Sequence, residues 1–173
     1  MEYNNGIIMK KFIAIWAAVL VASAALAQNA GTAFQIRRVA DAPTADSEVM
    51  TITDHLANNA IHTIDLNVEP TILIDQTALK SAKEVNHKFK QVTGQELKIP
   101  VIEVSFSAAG RKEFARVTGE NLGRKLAIII NGRVLCAPTI RAAITGGKVE
   151  ITGSFSEAEA RALAADLSAA CSK

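Results

Sequence analysis

Aromatic side chains are scarce in this 173-residue chain, at 5% with one Trp and one Tyr, and none is interleaved with basic clusters. That argues against single-stranded nucleic acid as a ligand, which needs stacking platforms along a cationic groove. A dominant charge is missing too: 19 basic residues face 17 acidic ones. Setting aside Glu2, Lys10 and Lys11 with the leader described below leaves the rest near neutral, so no polyanion-binding surface is indicated. The histidines, His55, His62 and His87, have no Cys or His at metal-motif spacing. A zinc site needs three or four converging ligands, so no metal is expected. Walker spacing is absent, since Gly110, Gly119 and Gly123 lie in or after one predicted helix and Gly146-Gly147 is a turn. Carboxylates are scattered, and Glu157 and Glu159 are explained by a helix start. The sequence therefore predicts a protein that is not an enzyme and carries no cofactor.

One long apolar run does occur, at the amino terminus. Lys10 and Lys11 precede the uncharged stretch Phe12 to Ser23, and Ala25-Leu26-Ala27 supplies small residues before Gln28. This is the pattern of an export signal, with cleavage expected after Ala27. The competing reading is an uncleaved segment that tethers the domain, although the run is short for a span. Translation can start at Met1 or at Met9. Removal of residues 1–27 leaves the length of one ordinary domain with room for a real core. Its expected location is periplasmic or secreted.

Short β-branched runs fill the first third: AFQIRRVA with Phe34 and Ile36 on one face, then VMTITD, IHTIDLNV and TILID, the last two separated by Glu69-Pro70. Residues 76–99 fit helical and strand periods equally. IPVIEVSF alternates as a strand, and Ser107 then caps a helix bearing Phe114, Val117 and Leu122, which Gly123 ends. LAIII, Asn131-Gly132 and RVLCA predict a hairpin, because both turn residues tolerate positive φ. Pro138 stops the second strand, and TIRAAI is expected as one helical turn. KVEITGSF is a further strand. Ser156-Glu157-Ala158-Glu159 forms a capping box, with Phe155 as a staple against Ala160. The last helix carries Ala160, Leu163, Ala164, Leu167 and Cys171 on one face. Together these predict an α+β fold, a mostly antiparallel sheet with two main helices packed on one face. The mixed charges of Arg111, Lys112, Glu113, Arg116, Glu120, Arg124 and Lys125 read as a solvated face.

The two cysteines, Cys136 and Cys171, would reach an oxidising compartment, where an even count favours a disulfide. An inert buried thiol at Cys136 is the second reading. A nucleophilic Cys136 is the third, and it would require an electropositive, partly exposed site that the following Ala-Pro does not specify.

The ordered series VSFSAAGRKEFARVT, NLGRKLAIIINGRVLCAPTI, ITGGKVEITGSF and EAEARALAADL resembles the head subdomain of the first periplasmic domain of SecD and SecDF, membrane components that assist protein export. The matching positions are Phe114, Gly123, Asn131-Gly132, Ala137-Pro138, Gly146-Gly147, Ile151 with Gly153 and Phe155, and the alanine-rich stretch 158–167. The resemblance implies a strand at 82–90 paired with 98–106. It divides the mature chain into a strand-rich lead-in at 28–70 and a head-like part at 71–173, forming one compact domain. Where Cys136 stands the family commonly has a small residue such as serine. SecD also has membrane helices that drive movement; no second spanning segment follows the leader here, so the motor is not expected in this chain. The head is thought to engage unfolded polypeptide, and only that role would remain. The expected partners are thus unfolded polypeptide or an inner-membrane protein. The alternative is a periplasmic small-molecule or envelope sensor with an apolar cleft between helix and sheet. No ligand residue transfers, because the shared motifs are turns, caps and core positions.

Overall fold

The computed structural model describes residues 34–55, 61–90 and 96–171. The predicted leader and its cleavage point lie outside them. Eight strands and two helices follow in order: β1 (Phe34–Ala40), β2 (Glu48–His55), β3 (Ile61–Asp75), β4 (Leu79–Lys90), β5 (Glu96–Phe106), α1 (Ala108–Glu120), β6 (Leu126–Ile130), β7 (Arg133–Cys136), β8 (Lys148–Ile151) and α2 (Glu157–Cys171). Every strand pairing is antiparallel. The α+β class is as the sequence predicts, with the strands distributed over two sheets, β2-β3-β1-β6-β7 and β4-β5-β8.

The uninterrupted apolar run LAIII has a simple cause: β6 is buried on both faces. Leu126 and Ile130 join the main core, which also holds Phe34, Ile36, Ile102, Val104, Phe114, Ala160, Ala164 and Leu167. Ala127 and Ile129 join a smaller core with Leu66, Val68 and Val134 on the opposite face. A strand covered on both faces loses the polar alternation of a half-wet one. β1 lies between β3 and β6 and is likewise covered, so Gln35 and Arg37 are buried at 6% and 7% exposure beside Phe34 and Ile36.

β3 runs unbroken through Glu69-Pro70, where the sequence suggests two runs. β2 pairs with it only as far as Val68, and the register against β1 shifts between Arg37↔Ile72 and Val39↔Val68. Pro70 therefore sits in a bulge where no ladder donor is required. The Arg37 Nε donates to the carbonyl of Glu69 at 2.6 Å, taking up an acceptor freed by that bulge.

After a 3-10 turn at Gln76–Ala78, β4 and β5 pair from Leu79↔Phe106 to Lys90↔Glu96, the pairing that the resemblance implies. Ser107 caps α1, its hydroxyl accepting from the Gly110 amide at 3.0 Å. Phe114 stacks on Phe106 with ring centroids 4.5 Å apart. Leu122 departs from its expected place: it lies past the helix end at 55% exposure, while Thr118 and Asn121 are buried. The helix is capped by Asn121, whose amide donates to the Thr118 carbonyl, and Gly123, with φ 76, turns the chain beyond it instead of closing its last turn. TIRAAI forms no helical turn. The Ile140 amide donates to the carbonyl of Arg124, the Gly123 amide to that of Ile140, and the Ile144 amide to the Thr118 hydroxyl. Those bonds hold 139–144 as an extended strap across the end of α1, and a helix would have to give them up.

Candidate functional site

The site begins with the tight hairpin at Asn131-Gly132, whose φ values of 50 and 78 bring β7 back along β6. β7 then forms one end of the five-stranded order, and β2 forms the other. The sheet is curled enough that these two ends approach each other. Neither has a strand partner on its outer side among the described residues. Inside the curl Met50 and Ile52 pack toward Val134 and Ala137.

The loop 152–156 completes one wall. A Cβ on Gly153 would stand 2.8 Å from the Phe155 ring and 3.2 Å from the Leu135 carbonyl oxygen, so only glycine lets this loop lie against β7. Phe155 is buried against the core together with Ala160, in the staple arrangement the sequence suggests. The capping box forms reciprocally: the Ser156 amide donates to Glu159 Oε2 at 2.8 Å, and the Glu159 amide donates to Ser156 Oγ at 3.2 Å.

Between these parts lies a cleft of about 810 Å³, bounded by Ile52, Thr53 and Ile64 on one side, Arg133 and Leu135 to Ala137 on another, and Thr152 to Ser156 with Glu159 on the third. Its walls join apolar side chains to exposed backbone. Ile64, at 45% exposure, pairs with Ile52 across β2 and β3 and presents an apolar step. Arg133 and Glu159 stand 3.8 Å apart at the rim, both about half exposed, so the cleft carries no strong field of one sign.

Cys136 lines this cleft as a half-buried thiol, and burial pushes its pKa up to about 11. A nucleophilic cysteine needs the opposite shift. No histidine lines the cleft among the described residues. Cys171 is also a free thiol, with its pKa raised by burial, in the last turn of α2. Both cysteines pack against the main core as free thiols.

His62 is exposed, and His87 Nε2 lies 3.1 Å from Glu150 Oε2 across the smaller sheet. The side chain of His55 is outside the described residues. No group of three His, Cys, Asp or Glu side chains is placed to hold a metal ion among the described residues. On α1, Arg116 bonds Glu113 and Glu120 along the solvated face that the charge pattern predicts. No helix among the described residues is long and apolar enough to cross a membrane.

Comparison with known proteins gives a consistent result. Residues 55–171 match the family described as SecDF, P1 head subdomain. The chain is similar to the protein translocase subunit SecD of Magnetococcus marinus, with 35% identity over 120 residues, covering 69% of this chain and 21% of that protein. It is also similar to the protein translocase subunit SecDF of Thermus thermophilus, at 46% identity over 65 residues, 38% of this chain and 9% of that one. A crystal structure of SecDF in a super-membrane-facing form matches with a TM-score of 0.52 at 27% identity, covering 79% of this chain and 18% of the other. The chain spans less than a quarter of the length of these relatives.

Proposed function

This chain belongs to the SecDF P1 head-subdomain family, and from that premise we propose that it is an exported, non-enzymatic binding module that holds an extended segment of unfolded polypeptide in the cleft between β2, β7 and the loop 152–156. Its relatives are named as protein translocase subunits, which supports a role connected with protein export. The expected compartment is the periplasm, and an inner-membrane protein that delivers or receives the polypeptide is the expected second partner.

The observation that carries this reading is the cleft itself. It sets the apolar steps Ile52 and Ile64 beside the outer edges of two strands and the backbone of a loop. Edge backbone groups bind any extended chain irrespective of its sequence, and apolar steps add affinity for the side chains an unfolded chain exposes. The near-balance of Arg133 and Glu159 leaves little selection by charge. A raised thiol pKa, with no histidine lining the cleft among the described residues, favours binding over chemistry.

The test is titration of the protein with a permanently unfolded exported polypeptide, followed by calorimetry and by the backbone resonances of residues 133–137 and 152–156. Saturable binding in the roughly micromolar range, with shifts at those residues, is expected. Binding without those shifts, or no binding, would overturn the proposal.

A further inference from the structure

A second cavity, of about 300 Å³, lies between the two sheets and away from the polypeptide cleft. Its walls come from β1 (Ile36), α1 (Phe114), β6 (Leu126, Ile128), the extended strap (Ile140, Ile144) and β8 (Val149). Ile36, Phe114, Leu126 and Ile140 are 1% to 6% exposed and belong to the main core, so the hollow is continuous with the densest part of the molecule. Protein interiors normally close such space, and although this hollow opens to solvent on one side, water against its apolar walls finds few polar partners. The strap explains why this one stays open. Residues 139–144 are held extended by bonds to the end of α1 and to Arg124, and cannot collapse inward without breaking them.

We infer that this cavity is a binding site for a small, uncharged apolar molecule. Size supports this: the volume is about twice that of the ~150 Å³ apolar cavities that take up one benzene. A two-ring aromatic or a short branched hydrocarbon chain fits that space. Charge supports the absence of a formal charge on the ligand. The polar side chains at the mouth are Lys148 and Glu150, of opposite sign, and Lys148 is already engaged with Glu103 at 3.3 Å. Neither an anion nor a cation gains a free counter-charge there, and either would lose its hydration. The ligand would bridge both sheets and the strap, stabilising the fold rather than entering any reaction.

The experiment uses the full chain with naphthalene as the neutral probe and 1-naphthoate as its charged counterpart, followed by methyl resonances. Naphthalene should produce saturable shifts at Ile36, Ile128, Ile144 and Val149 and raise the melting temperature, with 1-naphthoate at least about tenfold weaker, since tenfold is ~1.4 kcal/mol. Val149→Phe, which fills the hollow, should reduce naphthalene binding by a similar factor. The methyl shifts in the unsubstituted protein decide the matter if that variant folds poorly. Absence of saturable shifts up to the solubility limit, equal binding of 1-naphthoate, or shifts confined to Ile52, Ile64 and Leu135 would each overturn the inference. Polypeptide titration of the same samples reports on the other cleft separately.

Discussion

Cys136 shows how a residue changes meaning with its surroundings. Its burial holds the thiol at a pKa of about 11 against an ordinary 9.0. At pH 8 the thiolate fraction is then about one in a thousand, so alkylation of the folded protein should be slow and should accelerate toward pH 11. The linkage has a definite sign. A folded pKa above the unfolded one contributes stability below about pH 9 that is lost as pH rises through 11, a loss of roughly 2–3 kcal/mol in denaturant titrations. Cys136→Ala should flatten that part of the profile. After unfolding without reductant, both cysteines should alkylate, as two free thiols do; resistance relieved only by reductant would establish a disulfide between them. Arg37 makes the same point for a charge. It is buried on β1, with Nε on the Glu69 carbonyl and its guanidinium 3.3 Å from Glu48. Arg37→Ala should cost roughly 1–3 kcal/mol by chemical denaturation, because the bulge carbonyl loses its donor. Alternation in AFQIRRVA places Phe34 and Ile36 on the core face correctly. It could not show that the other face is buried too, since that depends on a second core assembled from β2, β3 and β7.

Elements were legible where their signals are local. The Asn131-Gly132 turn, the Ser107 cap and the Ser156 capping box each need only a few neighbouring residues, and all three form. The local pattern of 139–144 suggests a helical turn, but the bonding partners that hold it as a strap, Arg124 and Thr118, are distant in sequence. Gly110 is the clearest case of a requirement invisible to local patterns. Within α1 it reads as an unfavourable residue, yet a Cβ there would stand 2.0 Å from the carbonyl oxygen of Ala78. The helix is docked backbone to backbone on the 3-10 turn, and the Ser107 amide donates to that same carbonyl at 2.9 Å. Gly110→Ala should therefore destabilise by about 1–3 kcal/mol, despite alanine's higher helix propensity, as read by urea unfolding. A stabilising effect would mean that the contact is loose.

At the scale of the whole molecule, the curl of the five-stranded sheet makes the candidate site. Ile52 and Ile64 come from one hairpin and Leu135 from another, and they share a cleft only because the two ends of the sheet approach. Ile64→Asp should weaken polypeptide binding by about tenfold. Its stability should change by no more than about 0.5 kcal/mol, since the side chain is already half exposed. A bound polypeptide should also slow alkylation of Cys136, which lines the same cleft. By itself the sequence determined the α+β class, the hairpin, the caps and the family, because periodicity, turn chemistry and motif order are written in neighbouring residues. Only the tertiary structure decided that the strands divide into two sheets, that Arg37 and Gln35 are buried, and where the two hollows lie. Those features depend on which distant strands meet and how far a sheet curls, and both follow from packing summed over the whole core.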